Sequence, residues 1–227
     1  MFVSTCQCLF AQSMQKDTTQ LPPLEVRAIR ASERAPFAKQ NISKGEIQKN
    51  NLGQDLPFLL NQTPSVVVQS DAGNGIGYTG IRIRGTDATR INVTINGVAY
   101  NDAESMGTFL VNLPDFASSV SSIQIQRGVG SSSNGPSAFG ASINLSTNEI
   151  YKKAYFTTSN SAGSFGTLKN TLQLGTGLLN NHFTIDARLS KIKSNGYIDR
   201  ATSDLSSYYA SAAYISDKSS IRFTTFS

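Results

Sequence analysis

Few residues in this chain could do covalent or metal chemistry, and their spacing argues against it. His182 is the single histidine among 227 residues, so a Ser-His-Asp or Cys-His arrangement would have to be built on it. In HFTIDARLS, however, Phe183, Ile185, Ala187 and Leu189 alternate with His182, Thr184, Asp186, Arg188 and Ser190, which puts the imidazole on the polar face of a strand. Cys6 and Cys8 both fall in the first ten residues, so no disulfide framework or zinc spacing can be built further along. The acids show no Asp/Glu/His spacing suited to a catalytic metal. Gly75-Ile76-Gly77-Tyr78-Thr79-Gly80 does match the GxGxxG dinucleotide pattern, with Asp102 about 20 residues on. That pattern needs a helix to start at the loop and hold a pyrophosphate on its N-terminus, whereas Ile81-Arg82-Ile83-Arg84 continues as a strand. The expectation is a non-enzyme with no metal and no cofactor, whose glycines form an exposed loop.

The elements around these residues follow from periodicity. Ile81 and Ile83 against Arg82 and Arg84 predict one strand; Ile91, Val93 and Ile95 against Arg90, Asn92, Thr94 and Asn96 predict another. Asn96-Gly97, both tolerant of positive φ, predicts a hairpin returning into Val98-Ala99-Tyr100. Phe116 and Val120 just after Pro114 suit one short helix, and Ile123 with Ile125, then Ile143 with Leu145, supply two more strands. Upstream, Leu52, Leu56, Leu59 and Leu60 predict an amphipathic helix of about two to three turns, from Asn50 or Asn51 to before Pro64, followed by a Val66–Val68 strand. On residue patterns alone this is a compact mixed α/β unit with long loops.

Composition bounds the function classes. With 39% hydrophobic residues and no Trp, the chain allows one or two domains with a sizeable core. No run approaches the roughly 20 apolar residues of a spanning helix, while strand spans would escape that test. The net charge of +5 is dispersed at strand spacing with no basic run, which argues against a nucleic-acid partner. Met1 to Ala11 is apolar and rich in small residues and reads as the remnant of an export leader or a frayed terminus; Ser13 to Pro23 reads as a linker.

The order IRG (83–85), INGV (95–98), NLP (112–114), IQIQRG (123–128) and GxxAFGASINLST (135–147) resembles the plug domain of TonB-dependent outer-membrane receptors. The resemblance covers about Leu24 to Asn148. It departs where the family usually carries acids and this chain has Ser122 and Gln124, and where a tyrosine is common near Asn134; such variants look like those of Bacteroidetes receptors. The fold it implies is an α+β plug domain, a small mixed sheet with short helices, followed by antiparallel β-hairpins of an incomplete transmembrane β-barrel. The domains expected are 1–20 (leader remnant and linker), 21–148 (plug) and 149–227 (first barrel strands).

The resemblance also implies roles. Leu24, Glu25, Val26, Arg27, Ala28 and Ile29 lie where the family carries its TonB box, a segment that adds a strand to TonB; the alternative is an ordinary edge strand. Tyr78, Tyr100, Asn101, Asp102, Glu104 and Met106 become candidates for substrate contact on outward-facing loops. Arg82, Arg84, Arg90 and Arg127 become candidates for pairing with carboxylates on the inner barrel wall. The implied partners are TonB, energised by ExbB and ExbD, outer-membrane lipid, and a scarce solute. A ferric siderophore ranks ahead of haem, cobalamin or glycan, with the plug inside the barrel and the N-terminus towards the periplasm.

From about Ile150 alternating segments take over: Leu168 to Leu174, Phe183 to Leu189, Tyr208 to Tyr214, and Ile221 to Phe223. Leu178 to Asn181 reads as a tight turn and Ser194 to Ser206 as a longer loop. An apolar face opposite a charged one suits a lipid-facing wall around a polar lumen, with tyrosines at both ends of the third segment suiting an aromatic girdle. A soluble ligand-binding sandwich would show the same alternation. About 79 residues follow Asn148, enough for about five strands, whereas the smallest closed barrel takes about 8. The expectation is an N-terminal fragment of a longer receptor.

Overall fold

The computed structural model describes residues 30–32, 34–130, 138–216 and 219–227. The first strand, β1 (Lys39–Ser43), runs straight into helix α1 (Lys44–Asn50). The helix starts there because the Glu46 carboxylate accepts from both the Ser43 amide and the Ser43 hydroxyl at 2.7 Å, the reciprocal half of a capping box. Ser43-x-x-Glu46 is a sequence signature of this start that periodicity alone passes over.

The expected leucine helix is much shorter than predicted. Only one turn forms, α2 (Leu56–Leu59), and Leu52 is 65% exposed. Gly53 at φ +125° breaks the run, and Asp55 with Pro57 restarts it as the N-cap and an early helical position. Leu56, Leu59 and Leu60 do reach the core.

Strands β2 (Val66–Ser70) and β3 (Thr79–Ile83) form an antiparallel pair. The larger sheet takes β4 (Ile91–Ile95), β5 (Val98–Ala99), β6 (Ser122–Arg127) and β7 (Ala141–Ser146) in the order β1-β6-β7-β4-β5. It is mixed, since β4 and β7 run parallel while the other pairs are antiparallel. Asn96 (φ +51°) and Gly97 (φ +89°) make the tight β4–β5 turn. The short helix expected after Pro114 is a 3-10 turn, Phe116–Ser119.

Period two sorts this sheet into two buried faces. Ile91, Val93, Ile95, Ile123, Ile125, Ile143 and Leu145 fill an apolar core with Phe116, Ile81 and Ile83. The other face is polar yet buried: Asn92, Thr94, Gln124, Gln126, Ser142 and Asn144. Part of this face is paired internally, as when the Thr94 hydroxyl donates to Asn144 Oδ1 at 2.6 Å and Gln126 Nε2 to Gln124 Oε1 at 2.9 Å, whereas Asn92 Oδ1, Ser142 Oγ and Asn144 Nδ2 have no hydrogen-bond partner among the described residues.

The remaining strands form an up-and-down antiparallel meander: β8 (Tyr155–Gly163), β9 (Thr167–Gly175), β10 (Phe183–Ser194), β11 (Ser203–Ile215) and β12 (Ser220–Phe226). β8 and β12 are its two edges, so the barrel is partial. β11 already begins at Ser203, which shortens the long loop expected up to Ser206. The polar strand β8, whose TTSNSAG run carries no apolar alternation, is the one the sequence did not single out.

This meander is packed inside out relative to a water-soluble sheet. Ile221, Phe223, Phe156 and Leu189 are 59% to 72% exposed, while Lys169, Thr171, Thr184, Arg188, Ser190 and Ser211 on the opposite face are buried, and four of these, Lys169, Thr171, Arg188 and Ser190, bond to the first unit. Among the described residues no helix is long and apolar enough to cross a membrane.

Candidate functional site

The first unit and the meander are joined at one carboxylate. Pro114 ends the segment before the Phe116–Ser119 turn, and Asp115 adopts a left-handed backbone (φ +51°), which aims its side chain at the polar face of β9 and β10. Oδ1 lies 2.7 Å from the Lys169 ammonium and accepts from Ser118 and Asn51; Oδ2 lies 3.3 Å from the Arg188 guanidinium and accepts at 2.6 Å from both Thr171 and Ser190. All three charged side chains are at most 2% exposed. Arg188 also donates to the Asp115 carbonyl, and Ser207 of β11 donates to the Pro114 carbonyl at 2.8 Å. Asp115 thus ties down β9 and β10, and its neighbour Pro114 ties down β11.

Burial alone would raise the Asp115 pKa; the two cations and the hydrogen bonds outweigh it and hold the carboxyl well below the usual carboxylate range. Around this centre Ser161 of β8 donates to the Leu52 carbonyl at 2.6 Å, Gln173 to the Ser118 carbonyl at 2.6 Å, and Tyr209 to Thr147 at 2.9 Å. Phe226 of β12 packs on Phe116 with ring centroids 5.1 Å apart.

A second cluster gathers where β10 ends and β11 begins. The 71–78 loop is fastened there: Asn74 donates to Ser194 at 2.7 Å, and the Tyr197 and Ile198 amides donate to the Ala72 carbonyl. A Cβ at Gly73 would lie 2.9 Å from the Tyr197 ring, so only glycine permits this approach. Phe165 meets Tyr197 edge-on at 5.4 Å. Beneath the loop, the Asp55 carboxylate accepts from Thr79 Oγ1 at 2.9 Å and from the Gly77 amide, while the Asp55 amide donates to the Gly75 carbonyl at 2.8 Å. Burial pushes this carboxyl up to about 7 against those hydrogen bonds.

The residues singled out from the sequence separate into three groups. Leu24 to Ile29 lie outside the described residues. Tyr78 is 67% exposed on the loop over Asp55, whereas Tyr100 is half-buried in a groove of about 530 Å³ with Ala213, Ile215 and Arg222, at the other end of β11. The structure does not bring these two tyrosines together. Asn101 is spent on architecture, accepting from the Val93 amide and donating to the Ile91 and Met106 carbonyls. Asp102 closes its own turn by accepting from the Glu104 and Ser105 amides; Glu104 is exposed and Met106 sits at φ +60°.

Among the described residues none of the four arginines forms an ion pair with β8–β12. Arg82, Arg84 and Arg90 are exposed; Arg90 lies over the Phe139 ring, and Arg127 donates to the Pro64 carbonyl at 3.1 Å. The charge pattern of the joint seen here is the reverse of the one expected, with the acid on the first unit and the cations on the strands. Lys169 and Arg188 on inward polar faces were the signal for it, since two cations turned to a buried surface call for an anion opposite. Among the described residues no group of three His, Cys, Asp or Glu gathers to hold a metal ion.

Comparison with known proteins agrees with this arrangement. Residues 31–142 match the family model of the TonB-dependent receptor plug domain. No curated protein matches the chain in sequence. Among solved structures, the ferric yersiniabactin uptake receptor FyuA from Yersinia pestis superposes with a TM-score of 0.67 at 14% identity, over 88% of this chain and 33% of that one. The siderophore receptor PirA from Acinetobacter baumannii gives 0.64 at 15% over 91% and 33%, and the copper transporter OprC gives 0.65 at 18% over 86% and 31%. The chain spans about a third of the length of these structures. Residues 31–142 therefore belong to the plug-domain family of TonB-dependent receptors, and the strands that follow are those of a partial barrel.

Proposed function

We propose that this chain is the plug and adjoining wall of an outer-membrane transporter that binds a scarce solute on its outer side and imports it when TonB pulls on the plug. The observation that carries the reading is a plug-family domain seated on the polar face of a meander whose other face is apolar and exposed. A soluble sandwich would bury that apolar face; a lipid-facing wall needs it. The proton-motive force would reach TonB through ExbB and ExbD, and Leu24 to Ile29 are proposed as the segment that TonB takes up by strand addition. The proposed boundary between plug and wall is residue 148, after β7 and before β8.

A ferric siderophore is the first candidate cargo, in keeping with the names of two of the similar structures, ahead of haem, cobalamin or glycan. Tyr78 stands out as the contact candidate, being exposed and carried on a glycine-rich loop; Arg82, Arg84 and Arg90 are exposed on the plug and are proposed to meet carboxylates elsewhere on the wall. The test is energised uptake in the complete receptor. Val26→Pro removes a backbone donor and fixes φ, and should abolish uptake while solute binding stays near normal; Val26→Ala should change little. Unimpaired uptake in Val26→Pro would overturn the TonB assignment, and failure to rescue growth under iron limitation would overturn the siderophore one.

A further inference from the structure

The chain enters the plug through residues that are fastened by side chains rather than by a strand ladder. Gln124, 3% exposed in the middle of β6, uses all the hydrogen-bonding capacity of its amide. Its Oε1 accepts from the Ala31 amide at 2.7 Å and from Gln126 Nε2 at 2.9 Å; its Nε2 donates to the Ala31 carbonyl at 3.1 Å and to Asn41 Oδ1 at 2.8 Å. The orientation of this amide is fixed by chemistry, because a backbone N–H only donates and a carbonyl only accepts. One residue earlier, the Arg30 guanidinium donates to the Ser122 hydroxyl at 2.9 Å, the Ser122 carbonyl at 3.0 Å and the Asn144 carbonyl at 3.3 Å. Arg30 and Ala31 therefore lie across β6 and β7, held on the buried polar face of the sheet.

We infer that Gln124 and Arg30 form a release clip: a contact that holds the start of the plug against β6 and opens while the sheet beneath stays folded. Two features support separability. The sheet keeps its own backbone ladder in this region, with Ile123 to Gln126 paired to both β1 and β7, and none of those bonds involves Arg30 or Ala31. Its apolar core lies on the opposite face, with Ile123 and Ile125 fully buried there. A tension arriving along the chain at Arg30 would load this clip before any strand. Only that last step rests on the proposed function; the clip itself does not.

The choice of amide is specific. A carboxylate at 124 could still accept from Ala31, but it could not donate to the Ala31 carbonyl or to Asn41 Oδ1, and would set an acceptor against two acceptors. Hydrogen–deuterium exchange of the full chain in detergent micelles, with neither TonB nor solute present, tests this. In Gln124→Glu and in Arg30→Ala, exchange at the Ala31 amide should speed up about tenfold, while amides of Ile123, Ile125, Ile143 and Leu145 stay within about twofold of the unsubstituted chain. Unchanged exchange at Ala31 in both variants would overturn the clip, and so would an equal rise across β6 and β7. If Gln124→Glu loosens the whole sheet, Arg30→Ala decides, since it removes no atom from β6. This readout is independent of energised uptake, so the clip and the transport reading stand or fall separately.

Discussion

Replacing Asp115 by Asn keeps the shape and two acceptor lone pairs of the side chain but removes the carboxylate charge paired with Lys169 and Arg188 in the joint. Both cations are at most 2% exposed and cannot turn to water without opening it. Removing one partner of a buried ion pair costs about 3–5 kcal/mol, because a charge is left uncompensated in a poorly polarisable place. Here two cations share the loss; the one amide oxygen, in the place of Oδ2, still accepts from Thr171 and Ser190, while the NH2 in the place of Oδ1 meets the Ser118 and Asn51 donors, so a loss within that range is expected. Exchange of the Phe116–Val120 amides in the full chain in detergent measures it, and should rise by at least a hundredfold. Asp115→Asn combined with Lys169→Met should cost less than the sum of the two single changes, since the second relieves a charge stranded by the first. Additive effects, or a single-variant change below about 1 kcal/mol, would refute the assignment of Asp115 as the joint.

Two further outcomes concern the interior of the plug. Asp55, raised from 3.8 to about 7, keeps its proton in the folded state where the unfolded chain has lost it, so its contribution is fully present below about 4 and is lost as pH rises to about 7. About three pKa units correspond to roughly 4 kcal/mol at most; Asp55→Asn should therefore flatten stability between pH 5 and 8 and stabilise the plug at pH 8, read by thermal melts at each pH. Asp115, with its pKa depressed, loses its contribution only as pH falls through its folded value, below the ordinary carboxylate range, and adds no slope in that window. Gly140→Ala would place a Cβ 2.2 Å from Thr86 Oγ1 and 2.7 Å from the Arg90 carbonyl, so a loss of about 1–3 kcal/mol is expected in the same melts, with wild-type stability counting against the packing described.

The sheet of the plug was legible because its signals are local: alternation at Ile91–Ile95 and Ser122–Arg127, and Asn96-Gly97 between two strands. The helix at Leu52 was misread because leucine spacing was counted across Gly53, whose positive φ no periodicity reveals. Periodicity also gave both faces of β10 without saying which is inside; only packing shows that Arg188 is buried and Leu189 exposed. Asp115 escaped notice because it sits between Pro114 and the short helix expected at Phe116, whereas the left-handed backbone turns the carboxylate to strands more than fifty residues away. Gln124 was visible only as a departure from the family pattern, and its use of a whole amide needs the position of Ala31.

The two fastenings of the plug differ in kind, and that difference sets an order of release. At the joint, one carboxylate balances two buried cations, and parting them leaves buried charges without the partner they are hydrogen-bonded to. At the clip, Gln124 offers neutral hydrogen bonds worth a net of about 0.5–1.5 kcal/mol each, and water replaces them as they open. Arg30 adds charge-assisted donors to the Ser122 hydroxyl and carbonyl, which are neutral oxygens. On the proposed function, a pull on the chain at Arg30 would meet the weaker attachment first, and the plug would give up its leading residues while Asp115 still held the body of the domain to the wall. Conversely, a solute that disturbed the 71–78 loop would act through Asn74, Ser194 and Tyr197 on the ends of β10 and β11, the same strands that carry Arg188 and Ser207. The 71–78 loop and the joint share β10 and β11, whereas the clip lies on the plug's own sheet; on the proposed function, a signal from loop to clip would run along the wall only as far as the joint and would then have to cross the plug.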